Sequence, residues 1–120
     1  MQSGARVRLE GIDTPETVRE DYPVEPWGPE ASAFSKEFVK QARGRVKLTF
    51  AGERLDNYGR YLAFAWDGDQ MLNEELVRAG LATARLGWNF SSTLKRRLRL
   101  AQEEAQRAKR GIWSGEPPPP

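Results

Sequence analysis

Two strand-like apolar patterns stand back to back in the middle of this chain, and no other feature restricts its fold as much. Residues 45–50, RVKLTF, put Val46, Leu48 and Phe50 on the inward face, and residues 60–66, RYLAFAW, form a second apolar run. Between them the turn formers are Gly52 and the Asp56-Asn57-Tyr58-Gly59 group. Strands that follow one another directly across a turn do not make purely parallel βαβ repeats, which need long crossovers. A small antiparallel sheet with helices packed on it satisfies the pattern.

The flanking segments supply the rest of an α+β domain. Residues 5–12, ARVRLEGI, alternate, with Val7 and Leu9 opposite Arg6, Arg8 and Glu10, as a half-buried strand does. Pro15 ends that strand, because proline cannot donate to a ladder and holds Thr14 extended. Pro29 suits a first helical position, with Glu30 beside the positive end of the helix dipole. Ala31, Phe34, Phe38, Val39 and Ala42 then form a helical stripe that stops at Gly44. Further on, Asp67-Gly68-Asp69 turns the chain into a short helix near 71–79, ended by Gly80, and residues 81–86 suit a short strand. Ser91 or Ser92 caps a last helix running to about Arg110, with Leu94, Leu98, Ala101, Ala105 and Ala108 on one stripe. Gly111 closes it and Ile112 and Trp113 pack back, so one domain covers residues 1–114 and a Pro-rich tail covers 115–120.

Composition narrows the chemistry. The chain has no Cys and no His, which excludes a disulfide scaffold, a Cys/His zinc site, a Ser-His-Asp triad and a Cys-His pair. Acid–base work falls to carboxylates, Lys, Arg or Tyr, with a metal held by oxygen ligands as an option. The net charge of +2 hides an asymmetry: residues 85–110 carry Arg85, Lys95, Arg96, Arg97, Arg99, Arg107, Lys109 and Arg110 against Glu103 and Glu104. So basic a segment suits a polyanion, and it equally suits a solvated helix face. No apolar run approaches the ~20 residues of a membrane span, and the N-terminus lacks a signal-peptide core. The chain reads as soluble, without a membrane partner, and as secreted or periplasmic only if an upstream signal was removed.

Two clusters can carry chemistry. Arg8, Asp13, Thr14 and Glu16 gather carboxylates and a carbonyl at a strand end, which suits a hard cation such as Ca²⁺ and a positioned water. Asp13 and Pro15 are also ordinary turn chemistry. Arg60, launched from the Gly59 turn, can reach a phosphate with both arms of its guanidinium, or simply be an exposed hairpin residue.

Taken in order, RVRLEGIDTPET (6–17), GPEASAFSKEFV (28–39), DNYGRYLAF (56–64), LNEELVRAGLA (72–82) and GIWS (111–114) make the chain resemble the staphylococcal nuclease family. The resemblance implies an OB-fold-like antiparallel barrel with about three helices. It also implies Ca²⁺-dependent hydrolysis of DNA and RNA, with single-stranded or unstructured substrates preferred, leaving 3′-phosphate and 5′-hydroxyl ends. Under it, Arg8 and Arg60 clamp the phosphate and Glu16 is the general base or orients the attacking water. Asp13 is a Ca²⁺ ligand, Thr14 a ligand through its carbonyl, Tyr58 a contact to a terminal phosphate, and Trp88 an aromatic contact to nucleic acid.

The chain departs from the family pattern at its start, where only Met1 to Ala5 precede the Arg8 strand. The strands expected there, and the Asp-Gly-Asp-Thr turn carrying the second Ca²⁺ carboxylate, are missing. Truncation is the expectation; the alternatives are a homodimer in which a partner copy swaps in the strands, and an inactive relative. Leu86 replaces a base-stacking aromatic, Asn57 replaces a lysine, and the 17–28 loop is acidic. A reading from another class makes the domain an OB-like module that binds nucleic acid or a protein without cutting.

Overall fold

In the computed structural model the described residues are 7–15, 25–55, 59–87 and 90–119. In chain order they form β1 (Val7–Leu9), β2 (Ile12–Asp13), α1 (Gly28–Gln41), β3 (Lys47–Leu55), β4 (Tyr61–Asp67), β5 (Gln70–Met71), α2 (Leu72–Arg78), β6 (Thr83–Ala84) and α3 (Ser92–Arg107), then a 3₁₀ turn at Gly111–Trp113. No helix among the described residues is long and apolar enough to cross a membrane.

The α+β class expected from the sequence is the class observed. The central hairpin pairs β3 with β4 antiparallel, from Lys47 opposite Trp66 to Leu55 opposite Tyr61, with a register shift between Phe50 and Leu55. On the other side of β4 lies β1, and there the pairing is parallel: Val7, Arg8 and Leu9 face Tyr61, Leu62 and Ala63. The antiparallel pairing expected from the sequence holds for β3–β4 and β4–β5, and β1 adds one parallel pair to it. With neighbours on both edges, β4 is the central strand, and Leu62, Ala63, Phe64 and Ala65 are all buried, as a continuous apolar run requires. Among the described residues the strands make one four-stranded sheet and a separate two-stranded ladder of β2 with β6, and the barrel is not closed.

The single strand expected over 5–12 is in fact two short ones. Gly11 sits at φ +77° between them, and a Cβ on it would come 2.6 Å from Leu98 Cδ1. Only glycine combines that backbone with so close an approach to α3. The turn takes the chain from the β4 sheet to β6, so Arg8 and Asp13 belong to different ladders.

Register gathers Val7, Leu9, Leu48, Phe50, Tyr61, Ala63 and Ala65 on one face of the sheet. Phe50 lies on the predicted face yet is 48 % exposed, stacked edge-on against Tyr61 with ring centroids 6.0 Å apart. Helix α1 starts with Pro29 in its first turn and buries Ala31, with Phe34 and Phe38 partly covered. Helix α3 is capped by the Ser91 hydroxyl, which accepts from the Leu94 N–H at 3.4 Å. It buries Leu98, Ala101 and Ala105 against Leu76 and Val77 of α2 and stops at Arg107, so Ala108 is exposed rather than part of the core stripe.

A buried ion pair locks α2 to α3. Glu74 is 7 % exposed, and its oxygens accept from Arg97 Nε at 2.8 Å and Nη2 at 3.1 Å. Arg97 also lies over the Trp66 ring at 5.1 Å. Burial alone raises a carboxyl pKa, but the Arg97 hydrogen bonds and the Arg97 and Arg78 charges outweigh it and hold Glu74 below its ordinary 4.5. A lowered carboxylate pKa contributes stability above the unfolded value and loses it as pH falls through the folded one. Glu74→Gln is therefore expected to reduce unfolding free energy at pH 7 by about 2 kcal/mol. The gap to the native protein should close as urea titrations move below pH 4.5. A gap that does not narrow at all as the pH is lowered from 4.5 contradicts this assignment.

Candidate active site

Parallel pairing of β1 with β4 decides which side chains meet. Arg8 stands opposite Leu62, so Arg60, two positions earlier on the β4 side, projects on the same side of the sheet at the same end. An antiparallel pair would send the start of β4 to the far end of β1. Arg8 and Arg60 accordingly line one open cleft of about 240 Å³, together with Val7, Leu9, Ile12, Asp13 and Thr14.

Asp13 reaches that cleft from the other ladder. Its backbone is held opposite Thr83 of β6, whose hydroxyl donates to the Asp13 carbonyl at 3.5 Å. The carboxylate lies between two guanidiniums: Oδ2 accepts from Arg85 Nη2 at 2.8 Å, and Oδ1 is 3.6 Å from Arg8 Nη2. Arg8 also donates from Nη1 to the carbonyl of Leu9 at 3.1 Å. On their other side Asp13 and Thr14 border a larger open cleft, about 690 Å³, that includes Pro15, Trp27, Thr83 and Ile112.

The structure thus brings together Arg8, Asp13, Thr14 and Arg60 of the residues selected from sequence. Glu16, Tyr58 and Trp88 lie outside the described residues, as do Asn57, Met1 to Ala5 and much of the acidic loop. Arg85 was missed as a site residue, counted only within the basic stretch 85–110. Its sole local signal is that it follows Thr83 by two, the same side of a strand, and a two-residue β6 carries no readable alternation of its own.

Among the described residues, Arg8 and Arg60 line this cleft and Arg85 adjoins it through Asp13, a cationic grouping suited to a phosphodiester anion. The donors available for a cation are hard oxygens, the Asp13 carboxylate and the Thr14 carbonyl, with no thiol or imidazole anywhere in the chain. That donor chemistry fits Ca²⁺ rather than a soft metal. No three acidic side chains converge among the described residues, so such an ion would complete its shell with water and substrate oxygens. Asp67-Gly68-Asp69 offers nothing here, since Gly68 and Asp69 are the tight turn joining β4 to β5.

Comparison with known proteins agrees with the order of motifs. The family described as staphylococcal nuclease homologue matches residues 6–115. The chain is 41% identical over 108 residues to a thermonuclease of Staphylococcus hyicus and 44% identical over 110 residues to one of Staphylococcus intermedius. Over 109 residues it is 36% identical to the endonuclease YncB of Bacillus subtilis. Each match covers 90% of this chain, but only 62% of the two thermonucleases and 51% of YncB.

Proposed function

The chain belongs to the staphylococcal nuclease homologue family, and from that premise we propose that it hydrolyses phosphodiester bonds of DNA and RNA at the Arg8–Asp13–Arg60 cleft, with Ca²⁺ as cofactor. The observation that carries the reading is the convergence of Arg8, Arg60 and Asp13, from two separate ladders, on one cleft.

In this reading Arg8 and Arg60 bind the non-bridging oxygens of the scissile phosphate. Their donors hold the charge that grows as phosphorus becomes five-coordinate, when it is stabilised most. Asp13 and the Thr14 carbonyl would hold Ca²⁺, which when bound would supply Lewis-acid polarisation of the phosphate and an ordered water. Glu16 takes or orients the proton of the attacking water. Departure of the 5′-oxygen leaves a 3′-phosphate and a 5′-hydroxyl. Tyr58 and Trp88 contact the terminal phosphate and a base, which favours unpaired strands whose bases are free to stack. None of these roles needs histidine, in keeping with a chain that has none.

The test is cleavage of a single-stranded DNA and an RNA with Ca²⁺ and with chelator, followed by end analysis. Cleavage restricted to the Ca²⁺ samples, giving ends that need phosphatase before polymerase extension, is expected. Undiminished cutting in chelator overturns the metal assignment. Salt-dependent binding with no turnover at saturating Ca²⁺ overturns the nuclease reading in favour of a binding module.

A further inference from the structure

We propose that Arg85 is a positioning residue of the cation site: it is the built-in counter-ion of Asp13, displaced when a divalent cation binds and then free to meet a phosphate oxygen of the nucleic acid. The inference rests on the Ca²⁺-dependent nuclease reading and goes beyond it in naming what the cation must displace.

The geometry separates a fixed stem from a movable head. The Arg85 N–H donates to the carbonyl of Gly11 at 2.6 Å, and the strand just before it is held by Ile12 opposite Ala84. The Ala84 N–H in turn donates to Gln102 of α3 at 2.7 Å. The Cα of Arg85 is therefore tied to both β2 and α3. Its side chain, by contrast, is 61% exposed. Among the described residues, its guanidinium is held by the 2.8 Å bond it donates to Asp13 Oδ2.

Arg8 differs. It is 31% exposed and 3.6 Å from Oδ1, and its other arm is held by the carbonyl of its own strand neighbour Leu9. When a cation competes for Asp13, Arg8 stays at the phosphate position while Arg85 swings aside. A Ca²⁺ held by the Asp13 carboxylate at about 2.4 Å would stand within a few ångström of the guanidinium bonded to Oδ2, and a cation that close repels a divalent ion strongly. Once displaced, the planar fork remains at the rim of a cleft built for phosphate, where its two-point geometry suits an oxyanion better than lysine would.

The experiment is calorimetric titration of the metal-free protein with Ca²⁺, in the absence of nucleic acid, for the native chain, Asp13→Asn, Arg85→Ala, Arg85→Gln and Arg85→Lys. Loss of the counter-ion should tighten Ca²⁺ binding about tenfold in Arg85→Ala and Arg85→Gln, the repulsion removed being of that order in water. Arg85→Lys should stay near native. Arg85→Gln keeps most of the stem and so secures the comparison if the alanine variant folds poorly. KM for DNA should rise in both neutral variants, because the released phosphate contact is gone. Ca²⁺ affinity unchanged or weaker in both, with Asp13→Asn still abolishing binding, overturns the role of Arg85 and leaves the nuclease reading intact. Titrations indifferent to Asp13→Asn overturn the cation site itself, and the inference with it.

Discussion

Arg60→Ala is expected to reduce kcat for cleavage of single-stranded DNA by about 10³-fold or more, the scale on which an arginine stabilises phosphoryl-transfer charge. Thermal unfolding should barely change, since Arg60 is only half-buried and stands at the solvent-facing start of β4, not in the core. The loss should fall mainly on kcat rather than KM, because the guanidinium is worth most where the phosphate carries extra charge. Arg60→Lys should recover little, since a point charge cannot reproduce two parallel hydrogen bonds. Steady-state kinetics beside a melting curve make the check. A variant that keeps kcat within a few-fold of native removes Arg60 from the catalytic group, and a variant that unfolds moves it to the framework.

Asn73→Leu is expected to cause the largest loss of stability. Asn73, wholly buried at the start of α2, accepts from the Ala65 N–H at 3.1 Å through Oδ1. Through Nδ2 it donates to the carbonyls of Glu10 at 2.9 Å and Ala63 at 3.2 Å. The amide therefore joins the end of β1 to β4, the pairing that sets Arg8 beside Arg60. Ala63 keeps a second donor in the Glu10 N–H at 2.8 Å. The Ala65 N–H and Glu10 carbonyl do lose their Asn73 partner inside the protein, at about 1–3 kcal/mol each. Roughly 4 kcal/mol in total is a large share of a domain's stability and lowers Tm by about 15 °C. Activity at low temperature should fall as well, since the parallel register loses its clamp. A shift of only a degree or two shows that water or a neighbouring group replaces the amide.

Both predictions turn on features with different visibility in the chain. Arg60 is legible: a turn ending at Gly59, a strand pattern after it, and a motif in family order single it out. Asn73 is not. A polar residue at a helix start looks like a cap, and nothing local says that it is wholly buried and bonded to residues 63 places and 10 places away. Glu74 escapes for the same reason, reading as a favourable first-turn acid while its partner Arg97 lies on another helix. In the site itself Arg8, Asp13 and Arg60 are recognisable, and Arg85 is hidden because its importance depends on β6 meeting β2.

By itself the sequence determined the α+β class, the start of each helix from Pro29 to Ser91, the β3–β4 hairpin, and the lack of His and Cys that leaves acid–base chemistry to other side chains. Those are properties of period, turn residues and composition, all local. Only the tertiary structure decided that β1 runs parallel to β4, that the Glu10–Gly11 turn splits one strand into two ladders, and that Arg85 faces Asp13. Each of those depends on which distant backbone groups pair. A two- or three-residue strand such as β1, β2 or β6 has too few side chains for its own pattern to choose a partner or a direction. The choice is made by burial of Phe64, Leu76 and Leu98 in a shared core, which draws the short strands into place around it.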